Sequence, residues 1–194
     1  MAASFAESFR SVFTIDDGCA PQIMIPPTSN IAQQDKLEIC EQGVLVILKS
    51  LNHRKGTGPD DLSPALLKFL AVDIAPILTI IFRHSLNTGC VPNDWKCANV
   101  VPVFKKGDRG APLNYRPISL TSVPSKIFEH IIAHEIREFF DKHKLFTECQ
   151  HGFRKKHSCE SQLLHTISDL ILYNNADIQV DVLVLDFSKA FDTV

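Results

Sequence analysis

No apolar run in the 194 residues approaches the roughly 18 needed to cross a bilayer; the longest, such as Ile74–Phe82, fall far short, so a membrane partner is not expected. The N-terminus lacks the apolar stretch of a secretory signal. Phe5, Phe9 and Phe13 recur at helical spacing there, but Glu7 and the single Arg10 argue against a mitochondrial leader. No C-x-x-C occurs among the six cysteines (Cys19, Cys40, Cys90, Cys97, Cys149 and Cys159), which excludes a redox dithiol and a ribbon-type zinc site. A chain of this length needs no disulfide staples, so reduced core thiols in an intracellular protein are expected. There is no G-x-x-x-x-G-K-[ST] phosphate loop and no G-x-S-x-G nucleophile elbow. There is also little charge of one sign: 20 Lys+Arg stand against 22 Asp+Glu, a net charge of −2. The chain as a whole is no polycation, and any affinity for a polyanion must be local.

What is present is ordinary globular material, 45% hydrophobic and 22% charged, enough for a real core. The charge is unevenly placed. Residues 1–50 carry three basic and six acidic side chains, residues 51–194 carry 17 and 16, and the basic ones gather at 105–116 and 154–157. Residues 1–15 read as a short amphipathic helix, and 16–30, with Pro21, Pro26 and Pro27, as a linker. The stretch 35–51 leans to a helix ending near Asn52, followed by the turn-rich loop 53–61 (HRKGTGPDD). Ser63-Pro64 supplies an N-cap and a first-turn proline for a helix to Leu70. A second helix, about Ile74–Asn87, stops at Gly89. Residues 98–105 and 115–120 are expected to pair as a β-hairpin with a basic tip, Pro117 marking an edge. Residues 124–143 form a strong amphipathic helix, and Ser158 caps another to about Tyr173. Val180–Phe187 is apolar on nearly both faces and reads as a central, buried strand.

The segment Leu185-Asp186-Phe187-Ser188-Lys189-Ala190-Phe191-Asp192 carries the chemistry. A carboxylate held at the end of a rigid strand suits a hard divalent cation, and the backbone N–H groups of the turn after it suit a phosphate. A strand end whose Asp caps the next turn has the same spacing. Histidines 130 and 134 stand i,i+4 on one helix, but Ile131 and Ala133 occupy the positions where zinc-protease motifs need Glu. Cys149, His151, His157 and Cys159 do not follow a known zinc spacing.

The residues LDFSKAFDTV resemble motif A of the reverse transcriptases of non-LTR (LINE-type, jockey-like) retrotransposons. Three further segments resemble that family in the same order: KGTGPDDLSPALLK (55–68), VVPVFKKGD with NYRPISLTSVPSKIFEHII (100–132), and QHGFRKKHSC (150–159). Even ESFRSVFT (7–14) is similar to the segment before the polymerase. Group II intron and telomerase-like polymerases share motif A, but the GPDD and YRPISL blocks look less like theirs.

The resemblance implies an α+β fold: reverse-transcriptase-like fingers, built of helices plus a β-hairpin, with the first strand of an incomplete palm sheet. The implied layout is an N-terminal helix and linker over 1–30, fingers and the start of the palm over 31–175, and a truncated first palm strand over 176–194. It implies that Asp186 is a metal-binding catalytic carboxylate with the Phe187 carbonyl beside it, and that Phe191 is the gate against a ribose 2′-OH. Lys105, Lys106 and Arg116 would hold an incoming deoxynucleoside triphosphate, and Arg154, Lys155 and Lys156 would contact the backbone of an RNA template and DNA primer. Mg²⁺ would serve the complete enzyme in two-metal nucleotidyl transfer. The implied setting is the nucleus or a cytoplasmic ribonucleoprotein, not secretion.

Two-metal chemistry needs further carboxylates, which in this family come from a downstream Y-x-D-D block. The Asp-Asp pairs here, Asp16-Asp17 and Asp60-Asp61, lie far before motif A. The sequence therefore reads as fingers plus one palm strand without the later palm and thumb. The other reading is a non-catalytic, retroelement-derived RNA- or protein-binding module. Residues 1–194 alone are expected not to extend a primer on an RNA template; extension that is abolished by Asp186→Ala would overturn this.

Overall fold

A computed structural model describes residues 2–13 and 36–187. Three of the helix starts, those of the second, third and last helices, are set by side chains that satisfy otherwise orphaned N–H groups. The first helix, α1 (Ala2–Arg10), carries Phe5 and Phe9 on one face with ring centroids 5.9 Å apart. Helix α2 (Glu41–Ser50) is capped by the Cys40 sulfur, which accepts from the Gly43 N–H at 3.4 Å. Ser63 caps α3 (Pro64–Phe69), its hydroxyl accepting from the Leu66 N–H at 3.1 Å. Helix α4 (Ala71–Thr88) ends at Gly89, whose φ of 68° is the left-handed conformation expected there. It starts three residues earlier than its apolar pattern suggests. Leu70 closes α3 and opens α4 at once, its carbonyl accepting from the Ile74 N–H at 2.9 Å, and Pro76 consequently lies inside the helix.

Strands β1 (Ala98–Phe104) and β2 (Tyr115–Thr121) form an antiparallel hairpin whose register runs from Ala98↔Thr121 to Phe104↔Tyr115. Pro102 sits opposite Pro117, tolerable because each strand of a two-stranded sheet has a free edge. Helix α5 (Val123–Lys142) follows β2 after one residue. Helix α6 (Cys159–Asn175) opens with a capping box: Ser158 and Ser161 each accept from the other's backbone N–H, at 3.2 and 2.9 Å.

The described residues divide between Arg137 and Glu138 into two units, the division falling inside α5. The first holds the core. Val44 and Leu48 of α2, Leu67 of α3, Ala71, Ala75, Leu78 and Phe82 of α4, and Val123, Ile127 and Phe128 of α5 are all buried. Its centre is aromatic: Phe82 stacks on Phe128 at 5.1 Å, and Trp95 meets Phe82 edge-on at 5.7 Å. The Arg83 Nε–H donates to the Ile39 carbonyl at 2.7 Å, tying the segment before α2 to α4.

Two expectations fail. Residues 180–187 form no strand and are not buried: Leu183, Val184 and Leu185 are each more than 80% exposed. A strand is held by a hydrogen-bonded neighbour, and among the described residues the sheet consists of β1 and β2 alone. The described cysteines are not core thiols either, and Cys19 lies outside the described residues. Cys40, Cys90, Cys97, Cys149 and Cys159 are all exposed, because they fall at helix ends and in loops. The linker 16–30 lies outside the described residues.

A tight fit fixes the loop before α3. A Cβ on Gly58 would lie 2.6 Å from both the Thr121 carbonyl oxygen and the Ser122 nitrogen, with no flexible side chain to yield. Gly58→Ala is expected to destabilise the fold by about 1–3 kcal/mol, the usual range for overpacking. Thermal melting checks this; an unchanged midpoint would mean that the loop is not seated there.

Candidate nucleotide and nucleic-acid interface

Polar side chains hold the hairpin tip in one shape. Asp108 accepts from the Gly110 N–H at 2.9 Å, and the Asn114 amide donates to the Asp108 carbonyl at 2.8 Å. Gly107 takes φ 90° against the Asn114 side chain. The Tyr115 hydroxyl donates to the Arg109 carbonyl at 2.9 Å, and the Arg109 guanidinium lies 4.8 Å over the Phe104 ring. Phe104 and Tyr115 meet edge-on at 5.4 Å, and Phe5 of α1 meets Tyr115 at 4.8 Å. Arg109 is thus a structural cation.

That rigid frame presents the other cations. Val103 pairs with Arg116, and the Lys105 N–H donates to the Asn114 carbonyl at 2.8 Å, extending the ladder one step. Side chains alternate along a strand, so Lys105 and Arg116 share one face of the hairpin. Both are exposed, as is Lys106 in the turn beside them. A flexible ammonium next to a planar guanidinium suits a polyphosphate, one as a point charge and the other as a two-pronged donor.

At the other end of β2, Ser122 has no exposed surface, and its hydroxyl donates to Asp60 Oδ2 at 2.6 Å. Asp60 also accepts from the Leu62 N–H at 3.3 Å, and Asp61 takes the left-handed φ of 55°. The Asp-Asp pair that the sequence places in a plain loop therefore clamps that loop to the junction of β2 and α5. The signal was Gly58, two residues earlier. Nearby, a cavity of about 350 Å³ is lined by Lys55, Lys126 and His130 on an apolar floor that includes Leu51 and Ile127, with no acidic residue. Lys55 and Lys126 have no role among those that the family resemblance implies.

In the second unit the basic loop 150–157 is tightly organised. One Arg154 nitrogen donates to the carbonyls of Thr147 and Gln150 at 2.8 and 3.2 Å, and the guanidinium lies 5.2 Å from the Phe146 ring centre. Lys155 pairs with Glu138. Lys156 is exposed in a left-handed conformation, φ 62°. His151 shares a hydrogen bond with the Ser161 hydroxyl at 2.7 Å and lies edge-on to His157 at 4.9 Å, with His165 6.2 Å away.

Asp186 and Phe187 stand on an exposed segment outside any helix or strand, and Phe191 lies outside the described residues. Among the described residues no three His, Cys, Asp or Glu side chains are placed to hold a metal ion.

Residues 103–194 match the family model of the reverse transcriptases (RNA-dependent DNA polymerases). From residue 103 onward the chain is similar to the reverse transcriptases, and along nearly its whole length it is similar to proteins of retrotransposons. The chain is 32% identical over 192 residues to a probable RNA-directed DNA polymerase from transposon BS of Drosophila melanogaster, covering 98% of this chain and 20% of that protein. It is 30% identical over 158 residues to a probable RNA-directed DNA polymerase from transposon X-element of the same fly, 81% of this chain and 17% of the relative. It is 27% identical over 192 residues to a putative 115 kDa protein in the type-1 retrotransposable element R1DM, 95% of this chain and 17% of that protein. The chain spans about a fifth of the length of these relatives. The reverse transcriptase match takes in Lys105, Lys106, Arg116, the loop 154–156 and Asp186, while the Gly58–Asp60 clamp precedes it. The helices and antiparallel hairpin agree with the α+β fingers expected of this family. Among the described residues no helix is long and apolar enough to cross a membrane.

His151 sets a pH limit on the second unit. Loss of solvent around its ring, then the positive charges of His157, His165 and Arg154, hold its pKa below the ordinary 6.5. The unfolded chain then takes up the proton first, so stability is full above about pH 6.5 and falls as pH drops towards the folded value. Glu160, held below its ordinary 4.5 by the Ser158 side chain, titrates in a separate, more acid window. Thermal melts between about pH 7.5 and 5.5 should show a falling midpoint for wild type and a smaller fall for His151→Gln; identical slopes would discard His151 as the cause.

Proposed function

We propose that this chain supplies nucleotide- and template-handling surfaces of an RNA-directed DNA polymerase of a mobile element. The observation that carries the reading is the rigid hairpin that sets Lys105 and Arg116 on one face, inside the segment that matches the reverse transcriptases. There the two cations bind and orient the triphosphate of an incoming deoxynucleotide, with Lys106 adding charge from the turn. Lys156 and the exposed Lys155–Glu138 pair offer the template-primer backbone a contact that phosphate can replace, since an exposed ion pair is weak. Arg154 shapes that loop through its carbonyl bonds and keeps part of its guanidinium for phosphate. The setting proposed is an intracellular ribonucleoprotein.

Asp186 is the group proposed to hold Mg²⁺. It is a hard anionic oxygen on an accessible segment, with the Phe187 carbonyl next in the chain. Mg²⁺ is commonly held through one or two carboxylates together with substrate phosphates, so Asp186 fits as one donor of such a set. When bound, the metal neutralises phosphate charge and lowers the pKa of a primer hydroxyl. The chain's own share is to place the carboxylate and, in the complete polymerase, to exclude a ribose 2′-OH through Phe191.

Photocrosslinking with an azido-deoxynucleoside triphosphate tests this reading. Arg116→Ala should cut labelling by about tenfold, as loss of a two-pronged charged contact does, and Arg116→Lys should recover only part of it. Equal labelling of wild type and Arg116→Ala would discard the triphosphate site on the hairpin.

A further inference from the structure

The second unit contains a feature that phosphate contacts do not explain. Phe153 is 95% exposed and sits in the left-handed conformation, φ 61°, a strained backbone for a bulky aromatic residue. The strain is sustained from both sides. Arg154 ties the next residue to Thr147 and Gln150, and the His151–Ser161 bond anchors the loop two residues before Phe153 to α6. The loop therefore holds an aromatic ring out in water rather than letting it fold back.

Phe153 stands at a groove of about 540 Å³ that runs along the first turns of α6. That volume lies within the range of small-molecule sites. The walls are mainly apolar and include the flat rings of His151 and His157 and the side chain of Leu163, while Gln162 and Thr166 add amide and hydroxyl groups. No acidic residue lines it. The three cations Arg154, Lys155 and Lys156 occupy the stretch of chain between two of its lining residues, Phe153 and His157. Flat rings beside an apolar slot, a few hydrogen-bonding groups and adjacent positive charge are what a single-stranded nucleic acid requires, with bases stacking and phosphates tracking the cations.

We propose that this groove seats one unstacked base of single-stranded RNA, with Phe153 as the stacking platform and Gln162 facing the base edge. The inference rests on the template-handling role proposed above and adds that the loop reads bases as well as phosphates. A base-paired strand keeps its bases stacked inside the duplex and is excluded from the groove, so the site selects single strands.

The test is binding of about 12-nucleotide RNAs, measured by fluorescence anisotropy with the full chain in three forms: a single strand, the same strand with abasic residues, and a duplex. Wild type should bind the base-bearing single strand tightest. Phe153→Ala should weaken that strand alone by about tenfold, the scale of losing one stacked base, while the abasic strand and duplex stay unchanged. Phe153→Trp should restore binding, and its fluorescence should be quenched by the base-bearing strand beyond any change in a Trp95-only control. Because Phe153 is exposed, both variants should melt as wild type does. Loss of binding to all three RNAs by wild type would overturn the template reading together with the groove. Equal affinity of wild type and Phe153→Ala for the base-bearing strand would overturn the groove and leave the phosphate contacts standing. If Phe153→Ala changed only self-association, the ring would belong to a protein interface and the proposal would fall.

Discussion

A hydroxyl with no exposed surface holds the first unit in register. Ser122 stands between the last residue of β2 and the first of α5, and its hydroxyl donates to Asp60 at 2.6 Å. Its carbonyl meanwhile accepts the Lys126 N–H, the bond that opens the helix. One residue therefore ends a strand, starts a helix and receives a loop 62 positions earlier in sequence. Burying a polar group without a partner costs about 1–3 kcal/mol, so Ser122, with no exposed surface, is expensive to leave alone, and the half-buried Asp60 supplies its partner. Their bond makes the approach of Gly58 to the β2 backbone obligatory, and an approach that close admits no side chain.

The direction of β2, and with it the placing of Arg116, follows from that junction. The hairpin is a two-stranded ribbon, marginal by itself in water. It is held at its base by the Ser122 clamp and near its tip by the aromatic set Phe104, Tyr115 and Phe5. Between these two anchors a strand has little freedom beyond its twist. Rigidity of that kind matters for a phosphate site, because a cation that must be ordered on binding gives up part of its interaction energy as entropy.

Much of this was legible in the residues. Ser63-Pro64, Gly89 and Ser158 mark helix ends by local chemistry that acts within one turn, and the structure places caps at each. The hairpin was legible because β-branched runs flank a Lys-Gly-Asp turn. The start of α4 was not, because Leu70 serves two helices at once, a tertiary economy with no sequence signature. Nor was the clamp, since a hydrogen bond between residues 60 and 122 depends on how four elements pack. The strand at 180–187 was misread for a related reason. An apolar run reports a wish to be covered, but a strand exists only with a neighbour to complete its ladder, and none of the described residues provides one. For the site, Lys105, Lys106 and Arg116 came from the family resemblance, and the face that Lys105 and Arg116 share followed only from the register of the hairpin. The strained Phe153 left no trace in the sequence beyond an aromatic residue in a basic loop.

The division of labour among the cations would let a chain of net charge −2 serve the polyanion partners proposed above. Several basic side chains are committed internally: Arg109 over Phe104, Arg83 on the Ile39 carbonyl, Lys68 on the Leu51 carbonyl at 3.1 Å, and Arg154 on two carbonyls. Their task is to fix loops and helix ends, which a guanidinium or ammonium does well because carbonyls at such ends lack intrahelical donors. Lys105, Arg116 and Lys156 remain exposed on the frame that the others hold. A surface carrying many loose cations would attract any polyanion in any pose. A few cations on a stiff hairpin and a strained loop trade general attraction for orientation, and placing phosphates and bases depends on orientation.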